Sequence, residues 1–267
     1  MSAAAEGLAI EDFAAGYGPR EVIAHLDLLP LPPGTLAAVV GANAAGKSTL
    51  LKGIAGLCSA QGRVRLDGEE LTRLDAAQRL QRVGYLPQLL PQGSALVVYE
   101  ALLSALLGGG RGTVSAQTEV AVERVLDTLA LRPLALRRLD ELSGGQRQMV
   151  GLAQVMVRAP RLLLLDEPTS ALDLRWQLRV LNTVRELTRR TGCSALVAIH
   201  DLNLALRFCN HILVLGGGRL LAAGEPQATL DAALLRRAYG VEARVERCSL
   251  GYTVVLVDHA IETEETG

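Results

Sequence analysis

Lys47 follows the segment Gly41-Ala42-Asn43-Ala44-Ala45-Gly46 and precedes Ser48 and Thr49, so an ammonium and two hydroxyls stand at the end of a glycine-framed loop. The order fits G-x-x-x-x-G-K-[ST], which binds polyphosphate when a strand leads into it and a helix leads out. Here the apolar run 35–40 precedes it and the helix-like STLLKGIAGL (48–57) follows. Backbone N–H groups of Gly41, Asn43, Ala44, Ala45 and Gly46 are expected to close around phosphate oxygens, and the helix N-terminus adds partial positive charge. Lys47 reaches for the β and γ phosphates, Ser48 for Mg²⁺, and Thr49 lies near the α-phosphate. The lysine itself is a signal: of 27 basic residues, 25 are Arg, and only Lys47 and Lys52 are Lys. A retained ammonium marks a place where a planar guanidinium does not fit.

Such a loop alone leaves kinases, GTPases and motors open, so the other polar groups decide. The run RLLLLDEP (161–168) ends in two adjacent carboxylates. Neighbours on a strand point opposite ways, which lets Asp166 serve a Mg²⁺ shell while Glu167 faces a water beside the γ-phosphate as base or orienting group. SALVAIHD (194–201) repeats the design, a buried strand ending at His200, read as a γ-phosphate contact. ELSGGQRQMVGLAQVMVRAP (141–160) places Ser143 as an N-cap, Gly144 and Gly145 where a backbone can come close, and Gln146 in the first turn of a helix. That is a second anion-ready helix start, and with one nucleotide per chain it points to service of another copy. VGYLPQ (83–88) is a short strand running into a loop with Gln88.

These groups need positioning elements. Apolar runs at 35–40, 161–165 and 194–199 read as strands buried on both faces, and open α/β sheets bind ligands beyond the carboxyl ends of such strands. Strands within 7–40, around turns at Gly18 and Pro32–Pro33, with another at 62–67, are expected to form an antiparallel sheet beside the nucleotide. Two helices follow from periodicity: 117–131 with Val120, Val122, Val125, Leu126 and Leu129, and 174–190 with Leu174, Leu178, Leu181, Val184 and Leu187 on one face. EARVERCSLGYTVVLV (242–257) alternates as a hairpin, and IETEETG is a solvated end.

At 267 residues, 49% hydrophobic and 21% charged, the chain can bury a sizeable core. A formal charge of −1 argues against nucleic acid as partner. No apolar stretch is long enough to cross a bilayer, since the greasiest segment, 94–110, is broken by Glu100 and ends in glycines. The N-terminal residues lack the pattern of an export signal. Cys58, Cys193, Cys209 and Cys248 show no metal-site spacing and are expected as reduced thiols in a cytosol.

Taken in order, GANAAGKST, YLPQ, LSGGQ, LLLLDEPTSALD and the histidine of AIHD resemble the nucleotide-binding subunit of ABC transporters over nearly the whole chain. LSGGQ is the most diagnostic of these. The resemblance implies an α/β fold, a RecA-like P-loop NTPase core with an antiparallel β subdomain and an inserted α-helical subdomain. It places a single ATPase domain at 1–240, with core segments 1–91 and 161–240 and the helical subdomain at about 92–160, then a hairpin-like extension and flexible tail at 241–267. It further implies a homodimer that buries two ATP, each with Mg²⁺, between the phosphate loop of one copy and the LSGGQ of the other. Tyr17 stands where an aromatic stacks on adenine. Gln88 links the Mg²⁺ site to the membrane partner, and Ser170, Ala171, Leu172 and Asp173 cross the dimer interface.

Ser48 and Ser143 are 95 residues apart, too close for the chromosome-maintenance ATPases that separate these motifs by a coiled coil. A single cassette with no fused membrane segment suits a subunit that works with a separate permease at the cytoplasmic face of the membrane. LDLRWQ (172–177), the stretch 200–226 and LLRRAYGVEARV (234–245) resemble importers of ferric siderophores, haem and cobalamin, which would bring in a periplasmic or lipoprotein substrate-binding protein. Two departures stand against that subgroup: Trp176 replaces a frequent His, and LLGGGRG (106–112) replaces a GRYPH-like segment in the region expected to meet the permease. The alternatives are a soluble ABC ATPase, an exporter subunit, or a nucleotide-gated module without turnover. Ala44 also departs from the family's usual glycine; either its methyl crowds the bend or the position has a compatible negative φ. Lys47→Ala is expected to abolish measurable ATP binding in a titration with labelled nucleotide, and unchanged affinity would show the loop to be misassigned.

Overall fold

Alternation along the central strands decides the layers. The computed structural model describes residues 7–89, 94–108, 113–170 and 172–261. In chain order these form β1 (Leu8–Tyr17), β2 (Arg20–Leu31), β3 (Leu36–Val40), α1 (Lys47–Ala55), β4 (Ser59–Leu66), β5 (Glu69–Glu70), α2 (Ala76–Arg82) and β6 (Val83–Leu86). Next come α3 (Val98–Leu107), α4 (Ala116–Thr128), α5 (Gly144–Met156), β7 (Leu162–Asp166), α6 (Leu174–Thr191), β8 (Ser194–Ala198) and α7 (Leu202–Phe208). The chain continues through β9 (His211–Gly216), β10 (Arg219–Gly224), α8 (Pro226–Thr229), α9 (Ala232–Tyr239), β11 (Val241–Arg247) and β12 (Thr253–Ala260).

A six-stranded sheet runs β10-β9-β3-β8-β7-β6, parallel except for the β9–β10 edge pair. Successive residues face opposite sides, and both sides are dry. Ala37, Val39, Leu162, Leu164, Leu196 and Ala198 join one core with Leu50, Leu51 and Ile54 of α1 and the inner face of the antiparallel sheet β2-β1-β4-β5. Leu36, Ala38, Val40, Leu163, Leu165, Ala195 and Val197 join a second core with α3 to α7 and α9. Residues 36–40 therefore leave the antiparallel layer and carry the chain into the parallel one. Gly53 allows α1 to lie close on β1, since a Cβ there would fall 2.8 Å from Ala15 Cβ and 2.9 Å from Phe13 Cζ.

In the parallel register Asp166 pairs with Ala198 and Leu86 with Leu165, so the strand ends leading to residues 41, 87, 167 and 199 gather at one edge. Helices α3, α4 and α5 pack on one another and α5 also packs on β6. The 241–260 hairpin forms as β11 and β12, against α9 and α7. Residues 262–267, most of the expected tail, and 92–93 and 109–112 of the expected permease-facing stretch lie outside the described residues.

Two readings of helix faces need correction. Leu174 and Leu178 are exposed, at 77% and 37%, while Val180, Leu181, Val184 and Thr188 are buried, because only the later turns of α6 lie over the sheet. Val120 is 57% exposed, since α4 turns Val122, Val125, Leu126 and, just beyond it, Leu129 toward the core instead. Among the described residues, no helix is long and apolar enough to cross a membrane, and all four cysteines are free, with Cys193 and Cys209 buried.

Candidate active site

The loop between β3 and α1 turns on two residues that cannot carry a side chain. Gly41 has φ 152°, and a Cβ there would fall 2.4 Å from the Leu215 carbonyl oxygen; Gly46 has φ 99°, and its Cβ would fall 2.4 Å from Ile23 Cδ1. Ala44 is left-handed at φ 62°, so the expectation of a compatible negative φ does not hold. The conformation costs about 1–2 kcal/mol for an L-residue. Gly46 supplies no side-chain cap to α1, so the N–H groups of the first turn remain directed out of the helix end, where an anion can take them. Lys47 is buried beside them and its Nζ donates to the carbonyls of Gly41 (2.9 Å) and Ala42 (3.1 Å), which holds the ammonium across the loop mouth. Burial pulls its pKa below the ordinary lysine value, and the nearby Glu167 and Asp166 charges oppose that shift.

Across from the loop, the two carboxylates have separate partners. Asp166, only 2% exposed, accepts from Ser48 Oγ at 2.7 Å on one oxygen and from the Tyr85 hydroxyl at 3.0 Å on the other. Glu167 accepts from Gln88 Nε2 at 2.5 Å on one oxygen, and His200 Nε2 donates to the other. The divergence comes less from strand alternation than from the backbone: β7 ends at Asp166, and Glu167 is left-handed at φ 50°. Backbone strain of this kind concentrates where function over-determines geometry. Tyr85 was not singled out by sequence reasoning. The available signal was a tyrosine inside a buried strand, whose hydroxyl must find a partner; burial, with the Asp166 charge, pushes its pKa up and keeps it a donor.

The structure thus brings these residues together as two adjacent hydrogen-bonded groups, Ser48 with Asp166 and Tyr85, and Gln88 and His200 with Glu167. It gives the other candidates separate places. Ser143 Oγ accepts from Gln146 N at 3.3 Å and Gln146 Oε1 from Ser143 N at 3.0 Å, a capping box that leaves Gly144 and Gly145 as the open N–H groups at the start of α5. Asp173 caps α6 by accepting from Trp176 N at 2.9 Å, and Ser170 Oγ donates to the Glu167 carbonyl at 2.9 Å. Ala171 lies outside the described residues. Tyr17 is half-exposed at the end of β1, and Thr49 is buried in α1. Ser48, Asp166 and the carbonyl oxygen of Gln88 are hard oxygen donors. Among the described residues no three His, Cys, Asp or Glu cluster to hold a metal, so a cation here would draw the rest of its shell from phosphate and water, the habit of Mg²⁺.

A family model described as ABC transporter matches residues 27–170. The hemin import ATP-binding protein HmuV of Pseudomonas fluorescens is 39% identical over 245 residues, covering 90% of this chain and 94% of that one. The achromobactin transport ATP-binding protein CbrD of Dickeya dadantii is 35% identical, with 88% of each chain covered. Among solved structures, a metal-chelate type ABC transporter in an inward-facing conformation superposes with a TM-score of 0.81 at 25% identity, over 95% of this chain and 98% of that one. The strain at Ala44 makes a prediction: Ala44→Gly should stabilise the chain by about 1 kcal/mol in urea unfolding with nucleotide affinity retained, and a loss of stability would show that the methyl packs favourably.

Proposed function

The chain belongs to the ABC transporter family, and from that membership we propose that it hydrolyses ATP as a homodimer to drive import through a separate membrane permease. The observation that carries this reading is the paired-carboxylate group: one acid is tied to the phosphate-loop serine, and the other is held free of it by an amide and an imidazole.

Lys47 and the N–H groups of 41–46 and the α1 start hold the β and γ phosphates. Ser48, Asp166 and Gln88 would hold Mg²⁺, which when bound screens phosphate charge. Tyr17 offers a face for adenine. Glu167 is the base: a water positioned by its carboxylate attacks the γ-phosphorus, its proton passes to Glu167, the bond from the γ-phosphorus to the bridging oxygen breaks, and ADP and inorganic phosphate result. Gln88 Nε2 and His200 Nε2 fix the two carboxylate oxygens, and His200 lies at the γ-phosphate side. The core at 1–91 and 161–240 and the helices at about 92–160 are taken as the moving parts.

The second anion-ready start, Ser143-Gly144-Gly145-Gln146, meets the γ-phosphate held by the other copy, with 170–173 crossing between them. The Ser143 cap uses an oxygen lone pair, so its O–H proton remains available to donate to phosphate. Dimer closure then draws the two sets of helices together, and hydrolysis releases them. The named relatives are ATP-binding proteins of hemin import and achromobactin transport, and we extend that to this chain as import of an iron chelate or a related macrocycle, ferric siderophore, haem or cobalamin, with a substrate-binding protein outside and this subunit at the cytoplasmic face. Glu167→Gln should reduce steady-state phosphate release by about 10²–10⁴-fold while ATP stays bound and dimer accumulates in sedimentation velocity. Hydrolysis near the parental rate would remove Glu167 from the role of base.

A further inference from the structure

Trp176, the chain's one tryptophan, takes no part in the chemistry above. It sits in the first turn of α6, three residues after Asp173, which caps that turn through the Trp176 N–H. Its ring lies against Gly145, the second residue of α5: a Cβ built there would fall 2.4 Å from Cγ and Cδ2 of the indole. Any other residue at 145 would push the two helix starts apart. Arg179, three residues further along the same face of α6, places its guanidinium carbon 4.9 Å from the ring centroid. Its Nη2 donates at 3.3 Å to the carbonyl of Leu129, which ends α4 and has no intrahelical partner to accept from.

One turn of α6 therefore grips two helices at once, the start of α5 through the indole and the end of α4 through the guanidinium that covers that indole. The first turns of α6 are the part that does not pack over the sheet, as the exposure of Leu174 and Leu178 records. From that part Trp176 reaches across to Gly145 of α5 instead. Because α6 starts directly after its cap Asp173, and α5 starts with Gly144 and Gly145, the same contact couples two segments of this copy that are proposed to meet the partner copy.

We infer that Trp176, held by Arg179, is a positioning residue that sets the direction of the α5 start relative to Asp173 at the start of α6, so that both engage the second copy together. The inference rests on the dimer reading above. A ring that only filled space would matter for folding and leave ATP-driven pairing untouched.

The test uses the full chain in the Glu167→Gln background, following dimer formation by sedimentation velocity as ATP is raised, with thermal unfolding and labelled-ATP binding to the monomer measured alongside. Trp176→Ala is expected to raise the ATP concentration at half-dimerisation by about tenfold, Arg179→Met by about threefold, and Trp176→Phe to stay within about twofold of the parent. Monomer nucleotide affinity should be unchanged in all three. Parental midpoints for Trp176→Ala and Arg179→Met would overturn the inference; should Trp176→Ala fail to fold, Arg179→Met decides alone. A Glu167→Gln parent that binds ATP without dimerising would instead overturn the dimer reading, and the inference would fall with it.

Discussion

Two carboxylates adjacent in sequence, Asp166 and Glu167, have to be accommodated side by side at the end of one buried strand. Neighbouring like charges repel, and a buried charge without donors is costly. The fold meets this by giving each acid its own pair of donors. Asp166 takes hydroxyls from Ser48 and Tyr85, and Glu167 takes an amide from Gln88 and an imidazole from His200. Those donors come from α1, β6, the loop after β6 and the end of β8, so the parallel register of β6, β7 and β8 is what makes the arrangement possible. The left-handed backbone at Glu167 then turns the second carboxylate away from the first.

The two helix starts differ in a way that suits a shared ligand. The α1 start has no side-chain cap and is fronted by a lysine, so it attracts polyphosphate strongly on its own. The α5 start is already capped by Ser143 and Gln146 and has only glycine N–H groups left over. That makes it a weak anion site alone and an effective one when a phosphate is presented to it. The proposed nucleotide-dependent pairing builds on this asymmetry, and the inferred role of Trp176 and Arg179 is to keep the weaker start in line.

The elements that carry the candidate site are largely legible in the chain because their signals are local. Glycine spacing around Lys47, apolar runs ending in Asp166, Glu167 and His200, and the Ser143 cap are each contained in fewer than a dozen residues, and the strands form where the runs are. What was not legible depends on neighbours. Nothing in the identity of Ala44 or Glu167 gives the sign of φ, which the tight loop and the strand end impose. Periodicity marks a face of α6 but not how far the sheet extends beneath it, so it includes Leu174 and Leu178, which the core stops short of. Tyr85 and Trp176 acquire meaning only from Asp166 and Gly145, which are distant in sequence and adjacent in space.

A structure of the Glu167→Gln chain grown with ATP and magnesium tests the central claim most directly. The account predicts two copies related by a two-fold axis, with Lys47 Nζ of one and Ser143 Oγ of the other both within about 3 Å of the same γ-phosphate. Nucleotide gripped by Lys47 with Ser143 facing solvent, or by both groups of a single copy, would contradict it.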